Sequence, residues 1–190
     1  KHVYDLSAMR WEDARRLLDA RESPCVRFFQ RADGTVMTED CPVVRNNLLG
    51  TWNMTHAVAT SAFIPQSRGR FFNVVAQTHR GFPGMVHTGA ARAGVENMTK
   101  TLAIEWATYG VRVNAVAPGI IKTSGTDQYP PELLEIAARR ALLRRLGSAA
   151  EVAHLITYLA SKQADFITGQ TFYIDGGQSL YGDTWIVPVD

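Results

Sequence analysis

Apolar residues recur every three or four positions between residues 86 and 109, which is the spacing of one face of a helix. Gly110 follows directly, and glycine is common after a helix because it adopts a left-handed backbone at low cost. We therefore predict a long helix that Gly110 closes. Its apolar face consists of Ala91, Val95, Met98, Leu102 and Trp106.

Similar stretches alternate with short runs of β-branched and aromatic residues along the rest of the chain. The predicted helices lie at residues 46–63, 131–143 and 148–160. The predicted strands lie at residues 70–76, 111–117 and 170–174. Alternation of strand and helix predicts an α/β fold with a mainly parallel sheet.

The first 42 residues follow a different pattern. Residues 7–22 predict a helix with Ser7 as its N-cap, and Ser23-Pro24 ends it. Residues 25–30 and 35–38 predict two short strands around Asp33-Gly34, a dipeptide typical of a tight hairpin turn. The composition changes near Asp40 to Pro42, so we divide the chain into residues 1–42 and 43–190.

Composition narrows the classes of function. The 190 residues are 46% hydrophobic and 20% charged, which is typical of a single soluble globular domain. The net charge of +2 comes from interspersed cations and anions, which argues against nucleic-acid binding. We find neither a membrane-spanning apolar run nor a signal-peptide core, so we expect a cytoplasmic protein. Cys25 and Cys41 are expected to be free thiols, and no metal site is predicted.

Four sequence segments carry a resemblance to a known family. Residues 47–50 (Asn-Leu-Leu-Gly), 69–75, 111–119 (Val-Arg-Val-Asn-Ala-Val-Ala-Pro-Gly), and 167–170 followed by Asp-Gly-Gly at 175–177 occur in the order and spacing of the short-chain dehydrogenase/reductase family. The region from residue 46 to 177 thus resembles the second half of that family. Residues 87–95 and 102–106 look most like its enoyl-CoA and dienoyl-CoA reductase branch, which implies acyl-CoA thioesters as the ancestral substrates.

The front of the chain departs from this family. Family members begin with a strand and a glycine-rich turn, whose backbone N–H groups hold the cofactor pyrophosphate. The 190 residues contain no such glycine-rich pattern. We therefore expect a truncated Rossmann-like doubly wound parallel sheet, in which the N-terminal helix and β-hairpin replace the usual nucleotide-binding half. The hairpin is expected at an edge of the sheet.

The resemblance also indicates which residues occupy the catalytic positions. The family uses a Tyr as acid and base, a Lys four residues later, a Ser that orients the substrate and an Asn that maintains a water relay. Thr88 falls at the Tyr position and Arg92 at the Lys position, while Val75 or Ala76 falls at the Ser position. Of this set only Asn47 is unchanged.

The dienoyl-CoA reductase variant of the family suggests a second assignment. There the Tyr moves to the end of the preceding strand, and Gln77 stands at that place here. Thr88 would then take the role of a Ser, Arg92 would supply a positive charge, and Asn47 with Gln77 would bind a thioester carbonyl. A Gln side chain does not act as an acid, so this assignment still lacks a proton donor.

Each candidate also has a purely structural interpretation. Arg92, Glu96 and Lys100 are spaced four apart, as in a solvated ladder of ion pairs on a helix. Asn47 lies near a predicted helix start, where it would serve as a cap. His87 and His79 are either general acids or incidental residues.

Residues 118–123 match the family loop that touches the nicotinamide. The candidate NAD(P) contacts are Pro118, Gly119, Ile121 and Thr123, together with Arg92. The structural alternative is a simple turn after a strand, which the Pro-Gly pair would explain.

Three hypotheses about function follow. We favour a catalytically degenerate subunit with a structural or regulatory role, because both the acid and the phosphate loop are missing. Such a chain alone would neither bind a dinucleotide tightly nor turn over an enoyl-CoA. The alternative is an active NAD(P)-dependent oxidoreductase for an acyl-CoA thioester or related carbonyl compound. The third is a truncated or fused product whose first 42 residues belong to an unrelated module.

We also expect association with other chains. Relatives associate through the two long helices, and here these helices carry Trp52, Met54, Met98 and Trp106. A shortened sheet leaves further apolar surface to cover. We therefore predict either a homo-oligomer or a hetero-oligomer with an active homologue.

Overall fold

A computed structural model describes residues 42–82 and 85–180 of the chain. The predicted helix at residues 7–22, the hairpin at residues 25–38 and both cysteines lie outside the described residues. The proposed division near residue 42 therefore stays a prediction.

The described chain alternates helices with strands, in the order the sequence predicts. Helix α1 covers residues 42–63 and contains two π-helical turns, Arg45–Leu49 and Ala59–Phe63. The other helices are α2 (Val86–Glu105), α3 (Pro131–Arg140) and α4 (Ala149–Ala160). The strands are β1 (Gly69–Val74), β2 (Val111–Pro118), β3 (Ile121–Lys122), β4 (Gly147–Ser148) and β5 (Thr171–Ile174).

Several element ends differ from prediction. Helix α1 begins at Pro42 rather than residue 46, and β1 ends at Val74 rather than residue 76. Helix α2 ends at Glu105, because Trp106 leaves the helical conformation before a short 3₁₀ turn. Helix α3 ends three residues early, because Ala141 has an extended backbone.

Strands β1, β2 and β5 form one parallel sheet in the order β1-β2-β5. This confirms the predicted α/β fold with a parallel sheet. Strands β3 and β4 form a separate parallel pair, in which Ile121 lies opposite Gly147. The sequence did not predict this pair, since two-residue strands are too short for a periodic pattern.

The sheet separates two helical layers. Helices α1 and α2 cover one face, and their buried residues pack on Val113, Ala115 and Ala117 of β2. Helix α4 covers the other face, where Leu159 packs near Val116. Opposite faces of β2 are thus both buried, as expected for a strand inside a parallel α/β sheet.

A buried polar pair links the sheet to α2. The Asn73 amide donates to the Thr99 hydroxyl at 2.9 Å, and that hydroxyl donates to the Val95 carbonyl at 2.8 Å. Thr99→Val would keep the shape but leave the buried Asn73 amide without this acceptor. We expect the free energy of unfolding to fall by about 1–3 kcal/mol, measured by chemical denaturation. Exposed Thr101→Val is the control, and equal losses in the two variants would contradict the prediction.

Helix α4 begins with a capping box that makes stability depend on pH. The Glu151 carboxylate accepts hydrogen bonds from Arg145 and from the N–H and hydroxyl of Ser148. The pKa of Glu151 is lowered to about 2, mainly by the hydrogen bond from Arg145 and in addition by the two hydrogen bonds from Ser148.

Because the folded-state pKa is depressed, this contribution to stability is present above the ordinary carboxyl range, near 4.5, and is lost as the pH falls towards about 2. Glu151→Gln should remove this part of the acid dependence in thermal unfolding measured from pH 6 to pH ~2. Glu105→Gln, at the exposed end of α2, serves as the control. An acid profile of Glu151→Gln that matches the unsubstituted protein would contradict the prediction.

Candidate functional site

The carboxyl ends of β1 and β2 lie side by side. We call this side of the sheet, where the parallel strands end, its carboxyl edge. Val74 lies opposite Val116 in the register, and just beyond it the Val75 N–H donates to the Val116 carbonyl at 2.8 Å. Helix α2 starts at this edge, because it runs back along the sheet to the amino end of β2. Parallel α/β sheets bind ligands at this edge, beyond the carboxyl ends of their strands.

Arg92 connects α2 to the end of β1. Its Nη1 donates to the Val74 carbonyl at 2.8 Å, and the residue is half-buried. Burial lowers the pKa of Arg92, although a guanidinium still carries its charge at neutral pH. A guanidinium has five N–H donors, so this one bond leaves further donors for a ligand.

The predicted ion-pair ladder along α2 is correct only in part. Lys100 pairs with Glu96 at 3.3 Å, as the spacing predicted. Arg92 instead turns towards the sheet and donates to a main-chain carbonyl. The strand end, rather than the helix surface, therefore determines the position of Arg92.

Thr88 and His87 occupy the first turn of α2, and both are half-buried. Thr88 precedes Arg92 by four residues, so the two side chains share a face of the helix. Gln77, also half-buried, lies in the segment between β1 and α2. Thr88, His87 and Gln77 thus come from segments that meet at the carboxyl edge of the sheet. Their catalytic roles stay predictions.

Asn47 lies within the first π-helical turn of α1. The helix begins five residues earlier, so the interpretation of Asn47 as an N-cap is wrong. Its main-chain carbonyl accepts a hydrogen bond from the Thr51 hydroxyl at 2.7 Å. Wider turns of this kind are frequent at functional sites, and a role for the Asn47 side chain remains a prediction.

His79 stacks on Tyr173, a residue that the sequence analysis did not single out. Their ring centroids lie 4.6 Å apart with 26° between the planes. The Tyr173 hydroxyl is buried and has no hydrogen-bond partner among the described residues. Burial raises the pKa of Tyr173, and the negative charges of Glu96 and Asp175 raise it further.

The alternation of side chains along a strand indicates only which face of the sheet Tyr173 occupies. Side chains alternate along β5, so Tyr173 faces α2 while Phe172 and Ile174 face the layer of α4. The pairing of Tyr173 with His79, ninety-four residues earlier, depends on the tertiary fold.

The predicted cofactor loop, residues 118–123, starts at the last residue of β2. A Cβ atom on Gly119 would lie 2.8 Å from the Cα of Asp175, so only glycine fits where these two turns meet. The Asp175 carboxylate in turn accepts the N–H groups of Gly177 and Ser179 at 2.9 and 2.8 Å. Further along, Ile121 belongs to β3, and Thr123 caps a short 3₁₀ turn.

A small cavity of about 80 Å³ opens beside this loop. Its walls come from the loop, from α3 and its following turn, and from the turn after β5, and they include Gly119, Ile121, Ala141, Arg145 and Asp175. Arg92 does not line it. The cavity therefore adjoins the predicted cofactor loop but is lined by neither Arg92 nor Thr88.

No helix within residues 42–82 and 85–180 is both long and apolar enough to cross a membrane. The same residues contain no group of three or more His, Cys, Asp or Glu side chains placed to hold a metal ion.

Comparison with protein families and curated proteins gives consistent matches. A family model described as "Enoyl-(Acyl carrier protein) reductase" matches residues 41–179. The 3-oxoacyl-[acyl-carrier-protein] reductase of Thermotoga maritima is 43% identical over 136 residues, which cover 71% of this chain and 55% of that protein. A (2S)-[(R)-hydroxy(phenyl)methyl]succinyl-CoA dehydrogenase subunit of Thauera aromatica is 36% identical over 135 residues, covering 71% and 54%. The chain thus spans about half the length of the curated relatives it matches.

Solved structures match a similar share of the chain. A short chain dehydrogenase of Bacillus anthracis superposes with a TM-score of 0.67 at 38% identity, covering 74% of this chain and 56% of that one. A citronellol catabolism dehydrogenase of Pseudomonas aeruginosa gives a TM-score of 0.63 at 40% identity, covering 73% and 53%.

Proposed function

This chain belongs to the short-chain dehydrogenase/reductase family, and on that basis we propose that it forms part of an active NAD(P)-dependent oxidoreductase for acyl thioesters or related carbonyl compounds. The observation that carries the proposal is the position of Arg92. A half-buried cation is held at the carboxyl end of β1, one turn after Thr88 on α2. By the family resemblance, Arg92 stands at the position of the family's Lys and Thr88 at the position of its Tyr.

The described residues fit the nicotinamide end of a dinucleotide. The free donors of Arg92 suit ribose hydroxyls or a phosphate, and the close approach at Gly119 brings main chain to the same edge. A nicotinamide held there would supply the hydride of the reaction. The glycine-rich phosphate turn of the family has no counterpart within the described ranges, so this fit concerns only one end of the cofactor.

The chemistry available to the chain is carbonyl polarisation. When hydride reaches carbon 3 of a 3-oxoacyl or enoyl thioester, negative charge develops on a carbonyl oxygen. The Thr88 hydroxyl and the fixed charge of Arg92 are suited to stabilise that charge at a half-buried site. The amides of Gln77 and Asn47 would orient the thioester.

Proton delivery needs a group other than Thr88 or Gln77, since neither is an acid near neutral pH. His87 lies in the first turn of α2 beside Thr88, and His79 lies in the segment after β1. Either imidazolium could donate the proton that completes the reduction.

The substrate class rests on the relatives. The enoyl-CoA branch suggested by residues 87–95 is not specifically supported, because the Thermotoga relative is named a 3-oxoacyl reductase. The family model and the Thauera relative are named for an enoyl and a CoA substrate. We therefore propose acyl thioesters as a class, with 3-oxoacyl and enoyl forms both to be tested.

The sequence alone favoured a catalytically degenerate subunit. That expectation rested on the changes at Thr88 and Arg92 and on the missing glycine-rich turn. The relatives carry the names of reductases and dehydrogenases. They therefore favour the active-enzyme hypothesis over the degenerate-subunit hypothesis.

The test combines cofactor binding with turnover. The purified protein is titrated with NADH and NADPH by calorimetry, and oxidation of each is then followed with 3-oxoacyl thioesters, enoyl thioesters and simple ketones. We expect binding of one cofactor and oxidation that depends on a thioester. A folded protein that binds neither cofactor and turns over no substrate would restore the degenerate-subunit hypothesis.

Association with a second chain, and function in the cytoplasm, also stay predictions. Helix α1 exposes Leu49, Trp52 and Met54, while Ile104 is exposed on α2. If these helices pair with a second copy, light scattering should give a dimer or larger at micromolar concentration, and Met54→Glu should shift the population towards monomer. A monomer in the unsubstituted protein would contradict self-association and leave an unlike partner as the remaining form of the prediction.

A further inference from the structure

Four arginines lie within seven residues at the end of α3 and in the turn that follows. We call this group the arginine turn, and its members are Arg139, Arg140, Arg144 and Arg145. All four are exposed, and Leu142 and Leu143, which follow Arg140 and precede Arg144 in the sequence, are exposed as well. This short segment thus carries four exposed cations and two exposed apolar side chains.

Only half of these charges are paired. Arg139 pairs with Glu135 at 3.5 Å on the helix surface, and Arg145 binds Glu151. Arg140 and Arg144 have no ion pair within the described part of the chain. The two remaining cations carry charge that an anionic ligand could neutralise.

Main-chain contacts hold the arginine turn against the candidate site. The Leu143 N–H donates to the Gly176 carbonyl at 3.2 Å, and the Gly147 N–H donates to the Ile120 carbonyl at 3.0 Å. These bonds connect the turn to the segments that follow β5 and β2. A ligand at the carboxyl edge of the sheet would therefore meet the arginine turn in a fixed position.

Arg144 and Arg140 differ in the contacts that they make within the described chain. Arg144 has φ of 56°, which is a left-handed conformation that a side chain other than glycine adopts at some cost. Its guanidinium donates to the main-chain carbonyl of Arg139, so part of its role is to close α3. Arg140 makes no side-chain hydrogen bond or ion pair among the described residues. Replacing Arg140 therefore tests ligand binding more directly than replacing Arg144.

We propose that the arginine turn binds the phosphate groups of a coenzyme A thioester. The proposal rests on the proposed function and narrows its substrate class from acyl thioesters to those of coenzyme A. Phosphates match a cluster of guanidinium groups in charge and hydrogen-bond geometry, and the long pantetheine arm lets them lie away from the reacting carbon. The exposed leucines would contact the adenine or the arm.

The test compares binding of two probes to arginine variants. Coenzyme A and a phosphate-free N-acetylcysteamine thioester are titrated into the unsubstituted protein, Arg140→Gln, Arg144→Gln and the control Arg68→Gln. Arg68 is also exposed but lies before β1, at the opposite edge of the sheet. We expect each arginine-turn variant to weaken coenzyme A binding by about three- to fivefold, with weaker binding at higher salt. Binding of the phosphate-free thioester, and both affinities of Arg68→Gln, should stay unchanged.

Several outcomes would overturn the proposal. Unchanged coenzyme A binding in Arg140→Gln would do so even if Arg144→Gln proved unstable. So would variants that lose affinity for an acyl-carrier-protein thioester but not for coenzyme A, because the patch would then serve an acidic protein. If coenzyme A binding depends on the arginines but no thioester is turned over, the anion site stands and the proposed function fails. If thioesters are turned over but the arginine variants bind coenzyme A as tightly as the unsubstituted protein, the proposed function stands and the anion site fails.

Discussion

Replacing Arg92 with alanine should lower kcat/KM for an acyl thioester by a factor on the order of 10². The substitution removes a fixed positive charge from the place where negative charge develops on the substrate. It also removes the hydrogen bond to the Val74 carbonyl that positions the start of α2. Steady-state oxidation of NADH or NADPH measures the loss, and thermal unfolding checks that the variant remains folded.

Two further variants identify the cause of that loss. Arg92→Lys restores the charge and the residue type that the family has at this position, so we expect it to recover most of the activity. Lys100→Ala removes an exposed cation two turns further along the same helix, where it pairs with Glu96, and should change activity less than about twofold. Full activity in Arg92→Ala would contradict the central observation of the proposed function.

The largest effect on stability is expected at Gly110. Its φ of 67° is left-handed, and a Cβ atom there would lie 2.4 Å from the main-chain oxygen of Ser67. Gly110→Ala therefore meets both an unfavourable backbone conformation and a clash with backbone that has little freedom to move. We expect the free energy of unfolding to fall by about 2–4 kcal/mol, measured by urea denaturation.

Gly81→Ala separates these two causes. Gly81 has φ of 77°, yet nothing lies within 4 Å of the position its Cβ would take. That variant should show only the backbone cost, about 1–2 kcal/mol. Equal destabilisation in the two variants would mean that the contact with Ser67 contributes nothing.

Most of the described fold could be predicted from the sequence. The apolar spacing from Ala91 to Trp106 indicated α2, and the valine- and alanine-rich stretch at 111–117 indicated β2. Element ends were less accurate, since single residues such as Trp106 and Ala141 change conformation for reasons that the periodicity does not contain.

The candidate site was predictable as a set of positions but not as a set of contacts. Thr88, Arg92 and Gln77 were identified through the family resemblance, and the structure places their elements at one edge of the sheet. The partner of Arg92 was not predicted, because the helical spacing suggested Glu96 and the structure has the Val74 carbonyl. Tyr173 was missed, since nothing near it in the sequence indicates His79.

The sequence by itself determined the order and type of the elements, because the periodicity of apolar residues and the residue after a helix end are properties of neighbouring positions. Only the tertiary structure decided which distant groups meet. It brought Arg92 to the end of β1, His79 onto Tyr173, and the arginine turn against the segments after β2 and β5. These contacts depend on how α1, α2 and α4 pack on the two faces of the sheet. Packing is a property of the whole chain, and no local pattern contains it.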